Sequence, residues 1–113
     1  NVDDAVVAKY NATGGEQWTA SYHGPLSGDG ALALCRSAAG DLYATGWTTG
    51  PNDNTDILVM KVSAAGSLVW TVSYASPENT SDLGMRVAVD ANGNPRVLVS
   101  SGIVTGVTVC APV

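Results

Sequence analysis

An internal repeat constrains this chain more than any other feature. Residues 4–22 lie over residues 56–74 at a fixed offset of 52. Nine of the nineteen positions are identical, among them Asp4/Asp56, Lys9/Lys61, Gly14/Gly66, Trp18/Trp70 and Tyr22/Tyr74. A fainter echo joins residues 34–41 to residues 87–94, each an apolar run that ends in a turn with glycine at the same place. Self-similarity at such a period marks a duplicated supersecondary unit that buries its apolar faces against its neighbours. One continuous region, 1–113, is expected, with units of about 52 residues at 4–55 and 56–107.

Within each unit, runs of β-branched and aromatic residues are punctuated by Gly, Asn, Asp, Ser and Pro, the signature of short strands joined by turns. Strands are predicted over 4–10, 17–22, 30–36, 41–47, 56–62, 68–74, 84–89, 96–101 and 106–110. Charged residues make up only 13% of the chain, roughly half the usual share, and helix-favouring Glu, Lys and Leu are sparse. Runs such as 57–60 (Ile-Leu-Val-Met) and 87–89 (Val-Ala-Val) are apolar on both sides, which suits a sheet covered on both faces. A four-stranded antiparallel unit of this length, covered on both faces, is a propeller blade. The expected fold is therefore all-β, about two blades of an incomplete propeller; a nine-stranded β-sandwich or barrel is the alternative. Counted from the inside outwards, the chain starts at the third strand of one blade and reaches at least the second strand of another. Propellers use four to eight blades, so the piece needs completing by further copies, by a longer parent chain or by a different packing. Assembly is the expectation.

The stretch Gly-Asp-Leu-Tyr-Ala-Thr-Gly at 40–46, followed by Asp-Ile-Leu-Val-Met-Lys at 56–61 and Gly-Ser-Leu-Val-Trp at 66–70, resembles the bacterial beta-propeller repeat family of SBBP type. Residues 4–18 repeat the latter half of that pattern, and the resemblance covers most of 4–102. It implies a secreted or surface-located scaffold with no defined activity. The Gly-x-x-x-Trp spacing also looks like the repeats of quinone-cofactor dehydrogenase propellers, whose cofactor ligands have no counterpart here; no cofactor is expected.

The formal charge is −5, and the five Lys and Arg do not cluster. This excludes the electrostatic footprint of a nucleic-acid binder and disfavours an anionic membrane surface. No apolar run approaches the roughly 18 residues needed to span a bilayer. The start at Asn1, without Met, implies a chain that was processed or cut from something longer. The acidic, Lys-poor, Thr/Ser/Gly-rich composition points to an extracellular or cell-surface location. The two cysteines, Cys35 and Cys110, could form one bridge worth about 4–5 kcal/mol, although a regular propeller would hold them too far apart.

Few residues are candidates for chemistry. His23, the only histidine, lies in a turn-like His-Gly-Pro with no nucleophile nearby in sequence, so no catalytic residue is assigned. Residues 90–94 and 52–56 are rich in side-chain oxygens, but both depart from a calcium-loop pattern, and a hairpin turn is the simpler reading of the first; no metal is assigned. Trp47 borders the polar stretch 48–55. Trp47, Asn52 and Asp53 are the candidate ligand-binding residues, for a glycan or a peptide. The paired Lys9 and Lys61, with Asp4 and Asp56, read as structural bridges or solvated edges. Antiparallel parity puts the connections near 23–29, 48–55, 75–83 and 102–105 on one face, the first three expected to be the longer loops and to carry any binding. The expected function is a non-catalytic extracellular structural or interaction module, acting by self-assembly or through that face. The alternatives are a lectin-like glycan- or peptide-binding module and a non-catalytic fragment of a larger secreted enzyme.

Overall fold

The computed structural model describes residues 3–26, 28–51, 53–75 and 81–101. Eight antiparallel strands follow one another: β1 (Ala5–Tyr10), β2 (Glu16–Tyr22), β3 (Asp29–Arg36), β4 (Leu42–Thr49), β5 (Thr55–Val62), β6 (Leu68–Tyr74), β7 (Asp82–Val89) and β8 (Pro95–Ser101). These match eight of the expected strands closely; the ninth, 106–110, lies outside the described residues. Among the described residues no helix is long and apolar enough to cross a membrane.

The strands form three sheets. The middle one has four strands in the order β3-β4-β5-β6, and it is flanked by two pairs, β1-β2 and β7-β8. Duplication extends to backbone detail. Ala5 faces Tyr22 and Lys9 faces Trp18, just as Ile57 faces Tyr74 and Lys61 faces Trp70. Asp29 faces Thr48 and Arg36 faces Leu42, just as Asp82 faces Ser101 and Val89 faces Pro95. Irregularities recur at matching places, at Lys9/Tyr10 and Lys61/Val62, and at Ala31/Ala33 and Gly84/Arg86. The offset is 52 for the first set and 53 for the second, because the β6–β7 connection is one residue longer than the β2–β3 connection.

Both faces of the middle sheet carry a neighbour. On one, Ala5, Val7 and Ala20 of β1-β2 pack against Ala44, Leu58, Met60 and Val62. On the other, Val87 of β7 closes over Cys35 and Tyr43, with Trp70 and Val97 beside them. The apolar run 57–60 is thus apolar on both sides because Leu58 and Met60 face one neighbour while the alternate positions face the other. Tyr43 is fully buried and its hydroxyl donates to the Gly93 carbonyl at 2.9 Å. That bond ties the middle sheet to the turn of the next.

Cys35 is buried on the edge strand β3 and is disulfide-bonded, which answers the pairing that the sequence left open and departs from the separation expected in a regular propeller. The only other cysteine in the sequence, Cys110, lies outside the described residues. The physical reason lies in reach: Cys35 faces the β7-β8 pair, and only eight residues lie between Ser101 and Cys110, a span of roughly 30 Å when extended.

Candidate functional site

The connections alternate between two sides, as parity requires. On one side, the same five-residue turn is built four times. The amides of Asn11, Ser37, Ser63 and Asp90 donate to the carbonyls of Gly15, Asp41, Ser67 and Asn94, and Gly14, Gly40, Gly66 and Gly93 take positive φ. In each turn, the first side chain accepts from the amide of the fifth residue. The oxygen-rich stretch at 90–94 is one of these turns. Asp90 Oδ1 accepts the amides of Asn92 and Asn94, both at 2.9 Å, and Oδ2 accepts the Asn94 side chain. The backbone and side-chain hydrogen bonds from Asn94 hold the Asp90 carboxyl below its ordinary pKa.

The opposite side carries the residues singled out for binding. Its β4–β5 connection is not the long loop expected from 48–55. The strands run on to Thr49 and from Thr55, and the Gly50 amide donates to the Asn54 carbonyl at 2.7 Å, closing another five-residue turn. Asp53 stands where the other turns have glycine, with φ of 60°. Aspartate is one of the few residues that tolerate this conformation. Asn52 lies outside the described residues. Trp47 sits inside β4, not at its end. It faces Gly30 across the β3–β4 pair, and its ring covers that glycine so closely that a Cβ there would fall 2.1 Å away. Packing and turn geometry account for the positions of Trp47 and Asp53 without a ligand.

A polar cluster at this side escaped the sequence reading. The metal-ligating atoms of Asp4, His23 and Asp29 lie within 4.8 Å of one another. His23 Nδ1 and Asp4 Oδ1 are 2.8 Å apart and both residues are exposed. Asp29 is buried; its carboxylate accepts the Gly24 amide at 2.8 Å and the hydroxyl of Thr48, its partner across the pair. By donor type the three could hold a divalent cation. The hydrogen bonds they make instead describe a latch that fastens the β2–β3 connection to the start of β3. The one hydroxyl in the cluster, Thr48, donates to Asp29, so it is not poised for activation by His23.

The second unit repeats the buried carboxylate at Asp82, whose backbone carbonyl accepts the Thr55 hydroxyl at 3.0 Å. Burial, and then repulsion from Asp82, push the Asp56 carboxyl above its ordinary pKa. Of the paired lysines, expected as structural bridges or solvated edges, Lys9 is exposed and Lys61 has a partner on another strand connection. Lys61 reaches Asp41 at 3.8 Å and lies over the Tyr43 ring, while Asp4 turns to His23. The signal that could have revealed Asp29 and Asp82 was their equal place one residue before each inner apolar run.

A different kind of surface lies on β1 and on the two outer strands of the middle sheet, β3 and β6. Val6, Tyr10, Leu32, Leu34, Val72 and Tyr74 are large apolar side chains left in solvent. Val6, Leu32 and Leu34, with Ala31 and Ala44, line an open cleft beside β1. Among the described residues β1 pairs only with β2, and β8 only with β7. No protein-family model matches the chain, and no curated protein matches it.

Proposed function

We propose that the chain is a non-catalytic structural or interaction module, built from propeller-type repeats like those of the SBBP-type family, that works outside the cell by assembling through its two incomplete sheets. One observation carries this reading: a complete four-stranded sheet flanked by two half-sheets, with β1 and β8 each paired on one edge alone among the described residues and apolar residues in solvent. Unpaired edges and open apolar faces are liabilities unless something covers them. The acidic, Lys-poor composition and the disulfide at Cys35 support an oxidising, extracellular setting. The engagement of His23 by Asp4 and of Thr48 by Asp29 supports a structural rather than a chemical role for this polar cluster. Light scattering of the purified chain tests the proposal. A particle that is a multiple of the 11.5 kDa chain is expected, and a stable monomer at micromolar concentration overturns it.

A further inference from the structure

We propose that copies of this chain join head to tail, β8 of one lying antiparallel beside β1 of the next. The β7-β8 pair of one copy and the β1-β2 pair of its neighbour then become one sheet with the order of β3-β4-β5-β6. The inference rests on the assembly reading and adds which edges meet, in which register, and what each covers.

The first argument is register. The β1-β2 pair reproduces β5-β6 at an offset of 52, and β7-β8 reproduces β3-β4 at an offset of 53, irregularities included. The one pairing of the middle sheet with no counterpart elsewhere among the described residues is β4 with β5. Its partners Leu42–Val62, Tyr43–Lys61, Ala44–Met60, Thr45–Val59 and Gly46–Leu58 translate to Pro95, Arg96, Val97, Leu98 and Val99 against Tyr10, Lys9, Ala8, Val7 and Val6 of a second copy. Pro95 is the first residue of its strand, where the missing N–H is tolerated.

The second argument compares equivalent positions. Leu34 is 48% exposed whereas its counterpart Val87 is 1% exposed, because β3-β4 covers β7 and, among the described residues, no sheet pair plays that part for β3. Val6 is 48% exposed against 1% for its counterpart Leu58, and Val72 is 57% exposed against 5% for Ala20. The two open areas of the middle sheet are diagonal: the inner half of one face, at Leu32 and Leu34, and the outer half of the other, at Val72 and Tyr74. A single joint fills both. The β7-β8 pair of one copy covers Leu32 and Leu34 of the next, and the β1-β2 pair of that next copy covers Val72 and Tyr74 of the first. A second copy needs no other sequence to supply both missing halves. The one unfavourable meeting is Arg96 against Lys9, like charges across a pair, eased by Asp90, whose carboxyl already feels Arg96.

Such a contact joins two different surfaces and makes a ring if its rotation closes. Each copy then contributes two four-stranded sheets. Rings of four to eight sheets would hold about two to four copies.

Cysteine cross-linking tests the joint at exposed positions. A chain carrying both Lys9→Cys and Arg96→Cys is expected, on mild oxidation, to give a ladder of covalent multiples ending at the size of the native particle. Each single substitution is expected to give none. An assembled particle whose Lys9→Cys variant alone cross-links, or whose double variant does not, overturns the head-to-tail joint and leaves assembly standing. A native mass of one chain, the outcome if flanking sequence rather than a second copy supplies the missing strands, overturns both.

Discussion

A methyl group added at Gly30 would fall 2.1 Å from the Trp47 ring, so this pair is built around the absence of a side chain. Gly30→Ala is expected to lower stability by about 1–3 kcal/mol, the usual cost of overpacking. Most of that loss should disappear in a Trp47→Ala background, and a urea-unfolding double-mutant cycle measures it. Asp56 offers a test by titration. Its folded-state pKa is raised above 3.8 by burial and by Asp82, so the native chain holds that proton more tightly than the unfolded one. The charged form therefore costs stability above the raised pKa, and the cost fades as the pH falls through that value towards 3.8. Asp56→Asn should be more stable than the parent at pH 7, and the gap should narrow in melts near and below pH 4. The sequence showed that Asp56 and Trp47 matter, through repeat position and residue type. It could not show what they meet, because Gly30 and Asp82 are 17 and 26 positions away; strand pairing brings Gly30 to Trp47, and the packing of one sheet on the next brings Asp82 near Asp56.

At the scale of the element, strands and turns were almost wholly legible. Period, β-branched runs and turn glycines all act locally, so they survive in a one-dimensional reading. The exception is instructive. Pro51 and the polar residues around it read as a long loop, yet the β4–β5 connection closes on itself through Gly50 and Asn54. Glycine was absent from the usual turn position, so the pattern was missed; Asp53 fills it. Asp53→Val should lower stability by about 1–2 kcal/mol, because a β-branched side chain resists this conformation. Asp53→Gly should leave the thermal midpoint close to that of the parent. The hydrogen-bonded clusters were not legible for the opposite reason. His23 meets Asp4 across 19 residues, and Asp29 meets Thr48 across another 19, contacts that depend on registers the sequence does not display.

For the whole molecule, the duplication predicted a layered, repeated sheet, and the three sheets follow it in bond-by-bond detail. Composition could not decide whether the cysteines bridge, because that depends on where β3 lies relative to the end of the chain. Reduction should lower the thermal midpoint by on the order of 10 °C, given about 2–5 kcal/mol for loss of such a bond. Without reductant, the denatured chain should show no free thiol in a colorimetric count. The two halves also differ by one residue, and that residue lies in the β6–β7 connection, outside every strand. A length change inside a strand would turn each following side chain to the wrong face; between sheets it moves nothing. This molecule has therefore already displayed where it accepts extra sequence. A short Gly-Ser insertion after Ala75 should leave the melting curve nearly unchanged, whereas the same insertion after Val59 should abolish cooperative unfolding. The connection between sheets is the natural seam for grafting a foreign peptide or relocating the termini.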